Sequence, residues 1–374
     1  LSSDLEGRIL ITLRQDADGQ FSMRIGSTRP QLAQRLMAGR APTEAAHLAG
    51  TLFTLCKRAQ RLAADLACRA ALGQGVPSEL DAQVARRVLA EQALEHAWQL
   101  LVSWPEHQGG APDLATFLPL RQAADDPERL AEGLETALRH RLLGLAPGAW
   151  LAQDAAGLDA WCRAAGTPVA GYLAALAQGP DLGISEAQLL PLAALDAQAA
   201  HTLARLALDE THWCARPLWA GRPAETGAIA RLAAHPWVAD WVARRGRGVG
   251  ARQLARLLEL ARLPERLRHA GPDPHLVRAW SPEPGLGVAG VETARGLLLH
   301  LVRLGAGRVA DYRIVAPTEW NFHPAGPIAE SLSGLGTEPD PIPAARRIAH
   351  SLDACVAIEV RQVSGAELGE VTDA

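Results

Sequence analysis

The chain has 374 residues, 48% hydrophobic and 21% charged, so it can bury a sizeable core and is neither disordered nor fibrous in composition. Its net charge of −4 lacks the basic excess of a dedicated nucleic-acid binder. No apolar run approaches the roughly 18 residues needed to cross a bilayer, and no signal-peptide pattern is visible at the start.

The first element expected is a hairpin. Ile9, Ile11 and Leu13 alternate with other side chains, Asp16-Ala17-Asp18-Gly19 supplies turn chemistry, and Phe21, Met23 and Ile25 repeat the alternation. Pro42 suits a first helical position, and Leu48, Leu52, Leu55, Ala59, Leu62 and Leu66 predict a continuous helical stretch to about Leu72. A second helix is expected over Ser78–Leu101, with Ser78 and Asp81 at capping-box spacing, followed by a loop from Trp104 to Pro112. Residues 113–280 read as Ala/Leu-rich helices, with a capping box at Ser185 and Gln188. Two irregular stretches, Trp213–Thr226 and Pro272–Gly290, interrupt or follow them. Leu297–Leu304 and Arg308–Val315 predict a second hairpin about Gly305-Ala306-Gly307. A last helix is expected from Ala344 into Cys355. The fold class is α+β, mainly α, with no internal repeat.

The five cysteines, Cys56, Cys68, Cys162, Cys214 and Cys355, are odd in number and far apart, which fits a reducing compartment rather than a disulfide framework. Cys68, Cys162 and Cys214 read as core residues. Phosphate-loop, dinucleotide, nucleophile-elbow, zinc-finger and His-Glu-x-x-His patterns are all absent. Almost all positive charge is arginine, and most of it reads as solvated helix face. The carboxylate pairs Asp125-Asp126 and Asp209-Glu210 read the same way.

Six short segments, in order, resemble the large subunit of NiFe hydrogenases. Leu5-Glu6-Gly7-Arg8-Ile9 is similar to that family's Glu-Gly-His opening strand, and Thr51–Gln60 to its Arg-x-Cys-x-x-Cys-x-x-x-His segment, with Cys56 at the second cysteine. Arg222–Arg231 resembles Gly-Pro-x-Glu-x-Gly-x-x-Ala-Arg, and Gly287–Gly296 the Glu-Ala-Pro-Arg-Gly segment. Val315-Ala316-Pro317-Thr318-Glu319-Trp320-Asn321 resembles Val-Pro-Ser-Thr-Trp-Asn, and Asp353-Ala354-Cys355 the opening of Asp-Pro-Cys-x-x-Cys. The resemblance implies one large-subunit-like unit over 1–374: a hairpin at 1–27, a mainly helical body at 43–280, and a hairpin with a C-terminal site segment at 281–374.

The departures bear on chemistry. The resembled family holds nickel with four thiolates from two Cys-x-x-Cys pairs. Here Phe53 and Ile358 replace two of those cysteines, and Gln60 and Arg361 stand where the motifs carry histidines. Nickel in this chemistry requires soft sulfur donors, so no nickel and no hydrogen activation are expected. The pattern resembles the HupK/HoxV group of hydrogenase expression and formation proteins. It implies a cytoplasmic, non-enzymatic scaffold or chaperone handling an Fe(CN)2(CO) unit, with a large-subunit precursor and Hyp-type maturation proteins as partners, and with neither membrane nor nucleic acid. By the same resemblance Cys56 and Cys355 ligate the iron transiently, and Arg295 and Thr318 cradle its cyanides, supported by Glu6, Pro317, Asn321 and Asp353. Lys57 is expected to favour the Cys56 thiolate, and residues 362–374 are expected to escape the processing that the family's protease performs.

Other readings stand beside these. Cys56 and Cys355 each also suit a small buried hydrophobe, and Arg295 suits an ion pair with Glu292 or Glu319. A metal-free pseudo-subunit of a hydrogenase complex and a divergent active hydrogenase are the alternatives for the whole chain.

Overall fold

The computed structural model describes residues 7–15, 21–30, 32–53, 56–74, 82–336 and 340–363. The N-terminal alternation forms β1 (Arg8–Gln15) and β2 (Phe21–Ser27), antiparallel with Ile11 opposite Ile25. Glu6, the Asp16–Gly19 turn and the Ser78/Asp81 capping box lie outside the described residues.

The stretch from Pro42 to Leu72 is two helices, not one. Helix α1 (Pro42–Leu52) ends at an extended Phe53, and α2 (Lys57–Ala71) restarts after Cys56. The Glu91 carboxylate, from α3 (Ala82–Trp98), accepts the Arg58 and Ala59 N–H groups at 2.9 and 3.1 Å. A distant side chain thus satisfies the new helix start, which no local sequence cue announces. The chain stays helical past α3 through Gln99–Ser103 and on into Trp104–His107, the first part of the expected Trp104–Pro112 loop. Trp104 packs edge-on to Tyr172 at 4.7 Å, and the Leu101 carbonyl, which Pro105 lacks an N–H to reach, accepts the Asp113 N–H at 2.7 Å. The capping box at Ser185 does not form. Gln188 belongs to β3 (Gln188–Leu189), paired in parallel with β4 (Ala224–Glu225), while Ser185 Oγ donates to Glu330 at 2.9 Å.

The Pro/Gly-rich stretch 272–290 is largely strand. The expected second hairpin is half of a four-stranded antiparallel sheet, β5 (Val277–Glu283), β6 (Leu286–Thr293), β7 (Gly296–Gly305) and β8 (Arg308–Val315). Both faces of β6 are buried. Leu297, Leu299 and Leu301 enter one apolar cluster, Leu298 and Val302 another, which is the period-2 partition of a sheet covered on both sides. Glycine at 287 lets α2 lie directly on β6, since a Cβ there would sit 2.5 Å from the Ala71 nitrogen and closer still to the Ala67 carbonyl. Gly287→Ala is therefore expected to cost about 3 kcal/mol in urea denaturation, the upper end for overpacking, because backbone on both sides cannot yield.

Further helices complete the frame of the site: α4 (Ala228–Leu232), the largely buried α5 (Val249–Arg268), α6 (Pro317–Asn321) and α7 (Ile342–Leu352). Helix α7 stops before Cys355, at Asp353, which takes a left-handed conformation (φ 57°). The chain then turns into β9 (Ala357–Val363), which pairs in parallel with β1 and sets Ile358 beside Ile9 and Val360 beside Ile11. The two chain ends thus share one three-stranded sheet, ordered β2-β1-β9.

Candidate functional site

Cys56 stands immediately before α2, and Cys355 lies between α7 and β9; both are half-buried. They lie near one another. The Cys355 sulfur helps to raise Cys56, and both sulfurs help to raise the guanidinium groups of Arg29 and Arg295. Cys68, Cys162 and Cys214 are buried elsewhere, as expected of core residues.

The site residues come from several elements. Helix α6 begins with Pro317 and is capped by Glu319, whose carboxylate accepts the Ala316 N–H at 3.0 Å. That cap presents Thr318. Its hydroxyl accepts the Cys355 N–H at 3.2 Å and donates to the Cys355 sulfur at 3.1 Å. In this arrangement the Thr318 proton serves sulfur, so reaching a ligand requires it to rotate away from Cys355.

Arg295 sits in the two-residue connection between β6 and β7, where Gly296 takes the positive φ of 132°. Its carbonyl accepts the Asn321 side-chain amide at 3.3 Å, and the Asn321 Oδ1 accepts the Thr226 N–H at 2.9 Å. Neither Glu292 nor Glu319 partners Arg295. Its Nη2 donates to Glu95 at 2.6 Å, and its Nε lies 3.4 Å from Asp353 without forming a hydrogen bond. Glu292 belongs to Arg231 and Glu319 to Arg29, because the β6–β7 turn aims Arg295 away from both. Asp353 also accepts from Gln99 at 2.6 Å.

The thiol of Cys56 is pushed up to about 12, by burial first and then by Cys355 and Glu91, against which Arg295 and a Gln60 contact at 3.6 Å work. The expected help from Lys57 does not materialise. Lys57 is exposed, and the charges that reach the sulfur are Cys355, Glu91 and Arg295. Gln60, where the motif carries histidine, is buried, and its Oε1 accepts from His300 Nε2 at 2.8 Å. Arg361 likewise is no ligand; its Nε donates to Thr12 at 3.2 Å.

Three contributors escaped sequence reasoning. Arg29, just after β2, pairs with Glu319 and faces both sulfurs; burial opposes its charge, but Glu319 and the cysteines outweigh that and hold it above the ordinary arginine value. Nothing in the motifs marks it. Glu91 and Glu95 lie with Gln99 at i, i+4 and i+8, a polar line in an alanine-rich helix that periodicity alone makes visible. Arg29→Gln is expected to cost about 1–3 kcal/mol by leaving the largely buried Glu319 without its cation. In a double-mutant cycle with Glu319→Gln most of that cost should disappear.

Among the described residues no group of three or more His, Cys, Asp or Glu side chains is arranged to hold a metal ion. The donor set is two thiols beside two guanidinium groups, with a buried Arg295 Nε that has no hydrogen-bond partner. Two sulfurs cannot complete the shell of a bare ion, but they suit a metal that arrives with ligands of its own, and the cations suit anionic ones.

A family model described as nickel-dependent hydrogenase matches residues 261–361. The chain is 37% identical to the hydrogenase expression/formation protein HoxV of Cupriavidus necator, over 83% of this chain and 85% of that protein. It is 36% identical to the hydrogenase expression/formation protein HupK of Rhizobium leguminosarum bv. viciae, over 91% of this chain and 92% of that one. Among solved structures, the Ni-Fe-Se hydrogenase of D. vulgaris Hildenborough aligns with a TM-score of 0.54 at 17% identity, covering 91% of this chain and 94% of its own, a likeness of fold.

Proposed function

Because this chain belongs to the HoxV/HupK family of hydrogenase expression/formation proteins, we propose that it is a non-enzymatic maturation scaffold whose cargo is an iron–dicyano–carbonyl unit. The observation that carries the reading is the nearness of two half-buried thiols to two guanidinium groups. Cys56 and Cys355 would hold the iron, and the unpartnered Arg295 Nε is a donor for an anionic ligand, since a buried cyanide requires charge-assisted hydrogen bonds. Asp353 and Glu95 fix that guanidinium, and Asn321 fixes the backbone beneath it.

A thiol raised to about 12 is protonated at neutral pH, so loading Cys56 releases a proton. The neighbouring Glu91, pushed up to about 7 by burial, titrates in the range where it can accept one. Such a site holds cargo reversibly, as a carrier must. The donors and recipients in this reading are Hyp-type maturation proteins and a hydrogenase large-subunit precursor in the cytoplasm. Among the described residues no helix is long and apolar enough to cross a membrane.

The test is protein purified without oxygen from its native host. Infrared bands of iron-bound cyanide and carbon monoxide, with iron and without nickel, are the expected result. Stoichiometric nickel, hydrogen-dependent dye reduction by the pure chain, or co-purification with an iron–sulfur subunit and no iron would overturn it.

A further inference from the structure

Among the described residues, the sheet that joins β1 and β9 has an unpaired edge at β9. Strand β9 pairs with β1 on one edge and, among the described residues, with nothing on the other. A groove of about 460 Å³ lies there. Four consecutive residues of β9, Ala357 to Val360, line it together with Arg8, His107, Arg346 and His350. Side chains alternate along a strand, so a groove on one face of the sheet would meet every second residue. Contact with four in a row means that the groove meets both faces of β9, and Arg8 reaches it from the neighbouring β1.

Such an edge presents free backbone N–H and C=O groups, the template to which an extended peptide adds. The charge around it is positive. Glu359 is the one carboxylate among the lining residues and is held by Arg8 at 3.3 Å. Arg346 is exposed, and among the described residues no carboxylate lies within ion-pair range of it. The rings of His107 and His350 stack at 3.3 Å and close the far wall. That stack ties the Trp104–His107 turn to α7, whose next residues carry Asp353 and Cys355.

We propose that this edge is a docking site for an extended, acidic segment of a protein partner, which adds to the sheet as a fourth strand beside β9. The chemistry is main-chain hydrogen bonding for affinity, with Arg346 favouring carboxylates. The consequence for the molecule is positional: a partner seated there lies against the two elements, α7 and β9, that bracket Cys355.

The inference does not rest on the cargo reading and is tested without metal. Hydrogen–deuterium exchange of the full chain is followed with the peptide acetyl-Glu-Val-Asp-Val-Glu-Val-amide and with its lysine counterpart, acetyl-Lys-Val-Lys-Val-Lys-Val-amide. The acidic peptide should slow exchange across residues 357–363 and the lysine peptide should not. Arg346→Glu should weaken that protection about tenfold, the scale of one reversed facing charge, with the melting temperature of the free chain unchanged. Equal protection by both peptides, no protection by the acidic one, or undiminished protection in Arg346→Glu would overturn the proposal. So would protection that appears only after residues 364–374 are removed, which assigns the edge to the chain's own acidic end. Protection that grows with protein concentration without peptide would assign it to a second copy.

Discussion

Replacing both site cysteines, as Cys56→Ala with Cys355→Ala, is expected to remove the iron-bound cyanide and carbon monoxide bands entirely while leaving the chain folded. Both sulfurs are half-buried, Cys56 packed against the edge of the main core. Cys56 precedes its helix without a side-chain cap, and its sulfur takes only a weak 3.6 Å contact from the Gln60 side chain. Cys355 loses the Thr318 hydroxyl as donor, and the Thr318 oxygen keeps the backbone N–H of residue 355. Removing two partly exposed thiols should therefore cost about 1 kcal/mol, well inside the stability of a chain this size. Iron falls to background because no third ligand group exists among the described residues to take over. Infrared bands that persist in the folded double variant would sink the proposed site.

The second large effect lies behind the pocket, in the charges of α4 and α5. Arg231 donates to Glu259 at 2.7 and 2.5 Å and to Glu292 at 2.5 Å, and His96 Nε2 reaches Glu259 at 2.7 Å. All four groups are largely buried. Arg231→Met leaves two carboxylates without their cation and is expected to cost about 3–5 kcal/mol, read from urea denaturation at neutral pH. Its pH dependence has a definite sign. Burial opposes the charge of Glu259, yet Arg231 and His96 outweigh it and hold the carboxylate well below the ordinary 4.5. Burial holds His96 below the ordinary 6.5, which agrees with its Nδ1 having no partner to take a proton's hydrogen bond. In both cases the unfolded chain binds more protons, so stability is full above these ordinary values. It falls as pH drops through 6.5 and then 4.5. Glu292, raised by burial, opposes this in part. In Arg231→Met the two carboxylates favour their neutral forms, so the gap between variant and parent should narrow on acidification. A gap that stays constant from neutral to acid pH would contradict this account.

Elements with a strong period were legible in the sequence, and those that depend on partners were not. The hairpin of Ile9, Ile11 and Leu13 and the strands after 297 came through because alternation is local. The break between α1 and α2 did not, because its cause is Glu91, some 32 residues away along the chain from Ala59. The strands β5 and β6 hid behind proline and glycine; a covered sheet tolerates Gly287 only because α2 packs onto it. Strand β9 was missed because its mixed sequence becomes a strand only by pairing with β1 at the other end of the chain.

What the sequence determined by itself is the identity of the chemistry: which cysteines survive, which are replaced by Phe53 and Ile358, and that Arg295 and Thr318 remain. Those are facts of residue type, and no folding alters them. What the tertiary structure decided is which of these groups meet and in what state. It brought Cys355 near Cys56 and gave Arg295 to Glu95 and Asp353. It also turned the Thr318 proton toward sulfur and brought in Arg29. Partnership, burial and ionisation are set by distance in space. Sequence spacing fixes that distance only within a helix turn or a hairpin, and every one of these contacts spans more than either.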